Sequence, residues 1–196
     1  MQNLQAVPRD GEEELIRRAR QGDPEAFQRL VEEHLPRLWK VAWRILRHRE
    51  DTEDVMQEVF LAAYRALPGF RGDSSLSTWL HRIAVTRALN HRGAAAERIR
   101  RASEPWEGMS GEEIRSAGEA SVSSPLKTLE TRELLRKVAR CLDKMPAAFR
   151  AALALRDVES FSYEEMAETL DIAVGTVRSR LARARMALRQ CVQEES

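Results

Sequence analysis

The sequence predicts an all-α protein with two small helical domains joined by a flexible linker. Apolar residues recur at the spacing of amphipathic helices, and the alternating β-branched runs that are typical of strands are absent. A stretch rich in Gly, Ser and mixed charge interrupts the helical pattern near the middle of the chain. A chain of 196 residues with 43% hydrophobic content can bury one moderate core or two small ones.

The first domain opens with two helices separated by a break. A helix is predicted from about Glu12 to Gln21, and Gly22 interrupts the chain after it. Asp23 is the predicted N-cap of the next helix, because its carboxylate accepts hydrogen bonds from the free N–H groups of the first turn. Pro24 suits the first helical position, where its missing N–H is not needed.

The rest of the predicted first domain is also helical. Pro36 is predicted to kink or to divide the helix within the next apolar pattern, since proline removes a backbone hydrogen bond and clashes with the preceding turn. Asp51 is the predicted N-cap of the following helix, which ends at Gly69. Ser77 is the predicted cap of the last helix, which ends near Gly93. The first domain is therefore predicted over residues 1–93.

Residues 94–125 form the predicted flexible linker. They are rich in Gly, Ser, Ala and mixed charge, and their apolar residues are too sparse to build a core. The first few of these residues are compatible with an extension of the preceding helix. The second helical domain is predicted over residues 126–196.

A helix-turn-helix is predicted in this second domain. Ser162 followed three residues later by Glu165 forms a capping box, which predicts a helix beginning at Tyr163. A short turn at Asp171 to Ala173 follows, and a second helix begins at Val174. The predicted buried face of the second helix carries Val177, Leu181, Ala184 and Leu188.

The opposite face of that second helix carries small residues and arginines. Guanidinium groups bond to guanine edges or clamp phosphates, and small residues allow the helix to approach DNA closely. The alternative is that these arginines only solvate an exposed helix. Agreement between the capping box, the turn, the apolar spacing and the basic face favours DNA binding. The predicted contacts are Thr176, Arg178, Ser179, Arg180 and Arg183.

Composition and motifs exclude several classes of protein. The net charge of +1 means that binding to a polyanion depends on a local patch. No apolar run is long enough for a signal peptide or a membrane span, so a cytoplasmic protein without membrane insertion is expected. Cys141 and Cys191 lie far apart without nearby Cys or His, which argues against a disulfide or a zinc site. Nucleotide-binding and metalloprotease motifs are absent, so no catalytic residue, metal or cofactor is predicted.

Three stretches, in this order, resemble the extracytoplasmic-function (group IV) sigma factors of the sigma-70 family. They are DTEDVMQEVFLAAYRAL, FRGDSSLSTWLHRIAV and SYEEMAETLDIAVGTVRSRLARAR. The resemblance covers nearly the whole chain outside the linker, and three ordered motifs are more specific than one helix-turn-helix. It implies an alternative sigma factor that binds core RNA polymerase, directs it to specific promoters and assists promoter opening. The terminal helix-turn-helix would then recognise the minus-thirty-five element.

The helix after Asp51 carries a polar face that suits a protein partner. Four polar side chains share this face because they are spaced four residues apart in two pairs, and a solvated surface is the alternative interpretation. The resemblance implies that the face docks on the clamp helices of the largest subunit of the polymerase. The four residues are Glu53, Asp54, Gln57 and Glu58.

Aromatic and basic residues are interleaved in the loop FRGDSSLS and the helix that follows it. Such a mixture suits unpaired bases, which stack on rings while cations hold the phosphates. The resemblance implies that this region recognises the minus-ten element and holds a flipped base, which helps offset the cost of unstacking. A core position is the alternative for Trp79. The predicted contacts are Phe70, Arg71, Trp79, Arg82, Thr86, Arg87, Asn90 and Arg92.

The sequence departs from the family pattern at three positions. Thr86 stands where members often have Asn, and Asn90 stands where they frequently have Asp, so the preferred minus-ten bases stay open. Ala173 stands where many members have Ser as the cap of the recognition helix, and loss of a cap costs roughly 1 kcal/mol.

A stand-alone helix-turn-helix regulator is the second functional hypothesis. A regulator of this kind usually needs an effector or dimerisation domain. The first domain instead carries a docking face and loop aromatics, which this hypothesis does not explain. An enzyme is the third hypothesis, and the missing motifs argue against it. The family resemblance also implies an anti-sigma factor as a partner.

Overall fold

The structure, a computed structural model, describes residues 11–102 and 125–195, with side chains over residues 11–94 and 131–195. All regular structure in those ranges is helical, which confirms the predicted all-α class. Most of the predicted linker lies outside the described residues. Within those residues, no helix is both long and apolar enough to cross a membrane.

Over residues 11–102, the chain forms five helices. Asp23 accepts hydrogen bonds from the backbone N–H groups of Glu25 and Ala26, as predicted for an N-cap. Pro36 lies in the first turn of α3, so of the two predicted outcomes, a kink or a division, the structure shows a division. The helices are α1 (Glu12–Arg20), α2 (Pro24–Glu32), α3 (Leu35–Leu46), α4 (Arg49–Ala66) and α5 (Leu76–Ala102), with a 3-10 turn at Leu67–Gly69 between α4 and α5.

Two predicted caps in this domain are wrong. Helix α4 begins at Arg49 rather than after Asp51, because the His48 side chain accepts a hydrogen bond from the Asp51 N–H and caps the helix earlier. Helix α5 begins one residue before Ser77, because the hydroxyl oxygen of Ser75 accepts a hydrogen bond from the Thr78 N–H at 3.0 Å.

The predicted end of α5 near Gly93 is wrong, whereas the extension of this helix into the first residues of the predicted linker, which the sequence allowed, is present. The helix continues through Gly93 to Ala102. Glycine is tolerated inside a helix, and the three alanines at 94–96 that follow it are the strongest helix formers.

The second domain contains α6 (Pro125–Lys144), α7 (Ala147–Leu153), α8 (Tyr163–Leu170) and α9 (Val174–Glu194). A π-helical segment, Ala154–Val158, continues from the end of α7. The predicted capping box is present, with Ser162 and Glu165 bonding each other's backbone N–H groups. Asp171 ends α8 with a φ of 53°, so the predicted turn between α8 and α9 is confirmed.

Buried residues of both domains form one continuous apolar cluster. Helix α3 of the first domain packs against α7 and the π-helical segment, and α5 packs against α8. Leu38 and Ile45 of α3 belong to this cluster, together with Leu155 and Met166 of the second domain. The sequence predicts two domains, and the structure packs them directly against each other.

A disulfide joins α6 to α9, which contradicts the expectation for the two cysteines. The Sγ atoms of Cys141 and Cys191 are 2.11 Å apart and their Cα atoms 5.8 Å apart. The two cysteines are 50 residues apart in the sequence, which does not indicate whether they meet. They meet because α6 packs on α9. Cys141 is buried.

Candidate functional site

The polar face of α4 points away from the core. Asp54, Gln57 and Glu58 are exposed and Glu53 is half-buried, while Val55 on the opposite side is fully buried. Two of the carboxylates have basic neighbours in the same domain. Glu53 accepts a hydrogen bond from the Arg49 side chain at 2.8 Å, and Glu58 lies 3.6 Å from Arg87.

An apolar groove lies beside this polar face, between α3 and α4. Glu53 and Gln57 form part of its rim, and its apolar lining is provided by Leu35, Pro36, Trp39, Met56, Phe60 and Leu61. Phe60 and Leu61 are 37% and 52% exposed and lie together in this groove, and a contiguous apolar surface with a polar rim is typical of an interaction site. Sequence reasoning did not find the groove, because residues from two helices form it only after α3 packs on α4.

The loop before α5 is tied to the helix by an aromatic contact. The rings of Phe70 and Trp79 lie with centroids 5.2 Å apart. Phe70 is 8% exposed and Trp79 is half-buried, so both rings pack onto the protein in this state. Arg71 beside them is exposed.

One side of α5 presents polar and basic groups to solvent. Arg82, Thr86 and Asn90 recur every four residues and are all exposed, and Arg87 is exposed beside them. Arg92 differs from these because it is half-buried at the boundary with the second domain, where its charge helps lower the pKa of Arg150.

The N-terminal half of α9 exposes most of the predicted DNA contacts. Val177 and Leu181 anchor this half in the core. Ala173 at the N-cap makes no side-chain hydrogen bond, in line with its lack of a hydroxyl. The exposed residues are Thr176, Arg178, Ser179 and Arg183, and Arg180 is half-buried.

The basic side chains of α9 fall into two groups by their contacts. Arg183 donates from Nε to the Ser179 carbonyl oxygen at 3.3 Å, so it stays on the exposed face of its own helix. The Arg178 guanidinium lies 5.8 Å from the centre of the Tyr163 ring on α8. Arg185, by contrast, is held by Asp157 at 2.5 Å, an ion pair that also raises its pKa. The first group is available to a nucleic acid and Arg185 has an acidic partner within the protein.

Comparison with known proteins identifies the family. The sequence matches the family models for Sigma-70 region 2 over residues 30–99 and Sigma-70 region 4 over residues 135–188. It is 40% identical to the ECF RNA polymerase sigma-E factor of Escherichia coli (strain K12), over 91% of this chain and 93% of that protein. The chain belongs to the extracytoplasmic-function sigma factors.

Further relatives also match most of this sigma factor. The RNA polymerase sigma-H factor of Pseudomonas aeruginosa (strain PAO1) is 35% identical over 95% of this chain and 96% of that protein. The solved structure of CnrH in complex with the cytosolic domain of CnrY matches 95% of this chain and all of that one, with 26% identity and a TM-score of 0.65. The fold also matches that of the sigma factor RpoE, solved with the anti-sigma factor NepR from Bartonella quintana, at 23% identity and a TM-score of 0.68 over 85% of this chain and 96% of that one.

Membership of this family settles the general function. The chain is an alternative sigma factor that binds core RNA polymerase and promoter DNA and directs transcription initiation. Sigma factors are initiation factors and not enzymes. Both domains match sigma factor regions, so the hypothesis of a stand-alone regulator has no support.

Proposed function

We propose that three surfaces of this sigma factor divide its work between the polymerase and two promoter elements. The face of α4 made by Glu53, Asp54, Gln57 and Glu58 docks on the polymerase. The loop before α5 and the exposed side of that helix bind the minus-ten element, and the N-terminal half of α9 binds the minus-thirty-five element. The observation that carries the proposal is the exposure of most of these polar residues on three separate helices.

The polymerase-docking surface combines charge with apolar area. Asp54 and Glu58 offer exposed carboxylates to basic partner helices, and charge complementarity of this kind guides association and sets register. The groove lined by Trp39, Phe60 and Leu61 offers apolar surface next to them. A buried apolar centre with a polar rim is the usual anatomy of a specific protein interface.

The minus-ten surface is suited to single-stranded DNA. Arg71, Arg82 and Arg87 are exposed and can hold phosphates, while Phe70 and Trp79 offer aromatic rings at the base of the loop. Arg87 lies near Glu58 and Arg92 lies near Arg150. Arg71 and Arg82 are therefore the main proposed phosphate contacts.

Reconstitution tests the proposed function directly. Core RNA polymerase with this chain is expected to start transcription at a discrete set of genomic sites that core alone does not use. Mapping the transcript starts should reveal two shared elements upstream. An unchanged transcript set in the presence and absence of the chain would contradict the proposal.

Alanine substitution of Arg178 or Arg183 is expected to weaken minus-thirty-five binding. Loss of a contact to guanine should cost about 1–3 kcal/mol and relax specificity at one base pair. Loss of a phosphate contact should weaken binding to all sequences alike and reduce the salt slope by about one. Promoter binding by the reconstituted holoenzyme, titrated over a range of salt, distinguishes the two results.

The matched control for this prediction is Arg185→Ala. Arg185 lies on the same helix but is paired with Asp157, so its loss should leave promoter affinity nearly unchanged. Equal effects of all three substitutions would show that α9 contributes only general positive charge.

We further propose that the chain works in the cytoplasm, where polymerase and promoter DNA are found, and that an anti-sigma factor holds it inactive, as in other members of the family. The NepR complex of a sigma factor with the same fold supports the second proposal.

A further inference from the structure

The Cys141–Cys191 pair belongs to a larger group of metal-ligand atoms, where α6 meets the C-terminal end of α9. The two Sγ atoms and a carboxylate oxygen of Glu195 all lie within 4.8 Å of one another. Cys191 and Glu195 are four residues apart at the end of α9, so they share one face, and Cys141 meets them from α6. The packing of α6 on α9 therefore brings two sulfur donors and one oxygen donor to the same point.

The surroundings of this group hold the carboxylate in place and leave it able to bind a cation. Glu195 accepts hydrogen bonds from Arg140 Nε at 2.7 Å and from Lys144 Nζ at 2.8 Å, one on each oxygen. An ionised carboxylate has about four lone-pair sites, so each oxygen can still accept a further partner. Cys141 is buried, while Cys191 and Glu195 are half-buried. The group is thus anchored in the core on one side and reached by solvent on the other.

Two cysteines and a carboxylate form a donor set that suits zinc. Zn²⁺ binds cysteine sulfur at about 2.3 Å and carboxylate oxygen at about 2.0–2.2 Å, so the donors of one tetrahedral ion lie about 3.3–3.8 Å apart. The Cα atoms of the two cysteines are 5.8 Å apart, so side-chain rotation can bring the reduced sulfurs to this spacing without movement of the helices. Soft thiolate donors favour Zn²⁺ over the hard cations Mg²⁺ and Ca²⁺.

We propose that the reduced form of this chain binds one Zn²⁺ through Cys141, Cys191 and Glu195, with a water molecule as the fourth ligand. Within the part of the chain that the structure describes, the group contains these three protein donors. Zinc sites with three protein ligands keep a fourth position for water. Two thiolates and a carboxylate carry more negative charge than one divalent cation neutralises, and Arg140 and Lys144 balance the excess.

The same two sulfurs therefore have two alternative states, joined to each other or bound to zinc. A dithiol reductant converts the first state into the second, because its thiolate attacks the more accessible sulfur, that of Cys191, and its second thiol resolves the mixed disulfide. The reductant loses two electrons and leaves as a disulfide, while Cys141 and Cys191 become thiols. Zn²⁺ then displaces the two thiol protons, which pass to solvent.

Zinc maintains the link between α6 and α9 under reducing conditions. Disulfides are rare in the cytoplasm, which is the proposed location of this chain, because cellular thiols keep cysteines reduced. Leu142 follows Cys141 on α6 and lines an apolar groove, and Val192 of α9 lines the same groove. A cross-link at this position, through a disulfide or through zinc, fixes the separation of two helices that form the groove.

Zinc binding by the full-length chain tests the proposal. Protein that has been reduced with a phosphine, and then freed of it without air, should bind one Zn²⁺ per chain in competition with a chromogenic chelator. At a free zinc concentration about a hundredfold above Kd, the midpoint of thermal unfolding should rise by about 5–10 °C relative to the reduced, metal-free chain. The oxidised chain should not show this rise, and Mg²⁺ should not produce it in the reduced chain.

Substitutions identify the ligands. Cys191→Ser should abolish zinc binding at this site. Glu195→Gln should weaken it by at least about tenfold, since loss of even an outer partner of a metal ligand costs about 10–100-fold in affinity. The matched control is Glu194→Gln, which makes the same charge change one residue away on an exposed side chain outside the group, and it should leave zinc affinity unchanged.

Cobalt provides a readout that does not depend on the stability of the variants. Co²⁺ in a tetrahedral thiolate site absorbs strongly in the visible range and adds a sulfur-to-metal band in the near ultraviolet. The reduced chain should show both features and the oxidised chain neither. A reduced chain without zinc-dependent stabilisation and without this cobalt spectrum would overturn the proposal, and so would equal zinc affinities of the Glu194→Gln and Glu195→Gln variants. Polymerase and DNA take no part in these measurements, so their outcome is independent of the proposed function.

Discussion

Reduction of the Cys141–Cys191 disulfide is expected to lower the free energy of unfolding of this sigma factor by about 2–4 kcal/mol. The bond closes a long loop, since the cysteines are 50 residues apart. A cross-link of this length restricts the unfolded chain, and the chain-entropy model gives about 4 kcal/mol for it. Denaturant unfolding of the oxidised and the reduced protein, followed by circular dichroism, measures the difference.

The Cys191→Ser variant separates the disulfide from other effects of the reductant. Cys191 is half-buried and Cys141 is 2% exposed, so substitution of Cys191 disturbs the core less. The variant should be as unstable as the reduced protein, and addition of reductant should not change it further. Equal stability of the oxidised protein, the reduced protein and the variant would mean that the α6–α9 contact is maintained without the bond.

Loss of the disulfide should affect the two ends of α9 differently. Cys191 lies in the last turn of the helix, where Glu195 also bonds Arg140 and Lys144 of α6, at 2.7 and 2.8 Å. The DNA-binding half is anchored separately by Val177 and Leu181. Below the unfolding transition, the reduced protein should therefore keep its minus-thirty-five affinity, and binding to that element should fall only as the domain unfolds.

Local signals in the sequence predicted the secondary structure well. The N-cap at Asp23 and the capping box of Ser162 with Glu165 depend on side chains that bond backbone groups two or three residues away. The donor and the acceptor of each of these hydrogen bonds lie within one helical turn, so the local sequence is sufficient to predict them. The apolar spacing of Val177, Leu181 and Ala184 likewise predicted the buried face of α9, and Leu188 at the end of the predicted face is half-buried.

Features that depend on packing between distant segments were not predictable in the same way. The groove beside α4 needs Trp39 and Phe60 from different helices, and the disulfide needs α6 beside α9. Arg150 has the sequence context of an ordinary helical arginine, and only its position opposite the end of α3 makes it a link between the domains. The His48 cap was missed because a histidine side chain is an uncommon acceptor at this position.

Reversing the charge of Asp54 is expected to have the largest effect on polymerase binding. If the α4 face docks on basic helices of the polymerase, Asp54→Lys places like charges together, which costs several kcal/mol of association. Core polymerase affinity should fall at least a hundredfold, which corresponds to about 3 kcal/mol. Transcription from every dependent promoter should fall together, because all of them need the holoenzyme. Affinity is measured by titration of core polymerase with labelled sigma factor.

Asp54 is a cleaner position for this test than Glu58. Glu58 lies 3.6 Å from Arg87, so Glu58→Lys also places a like charge against the proposed minus-ten surface. Glu58→Gln removes the charge without that conflict and should give a smaller loss of affinity. Leu61→Ser probes the adjacent groove, because Leu61 is 52% exposed and its loss opens no core cavity.

The fold should survive all of these substitutions, which makes the result interpretable. The α4 side chains that hold the core, Val55 and Val59, lie on the other side of the helix and stay unchanged. Helicity and cooperative unfolding should therefore match those of the unaltered chain. Glu13→Lys is the control, since Glu13 is exposed on α1 and makes the same charge change outside α4. An Asp54→Lys variant that binds core polymerase as tightly as the Glu13→Lys control would show that this face of α4 is only a solvated helix surface.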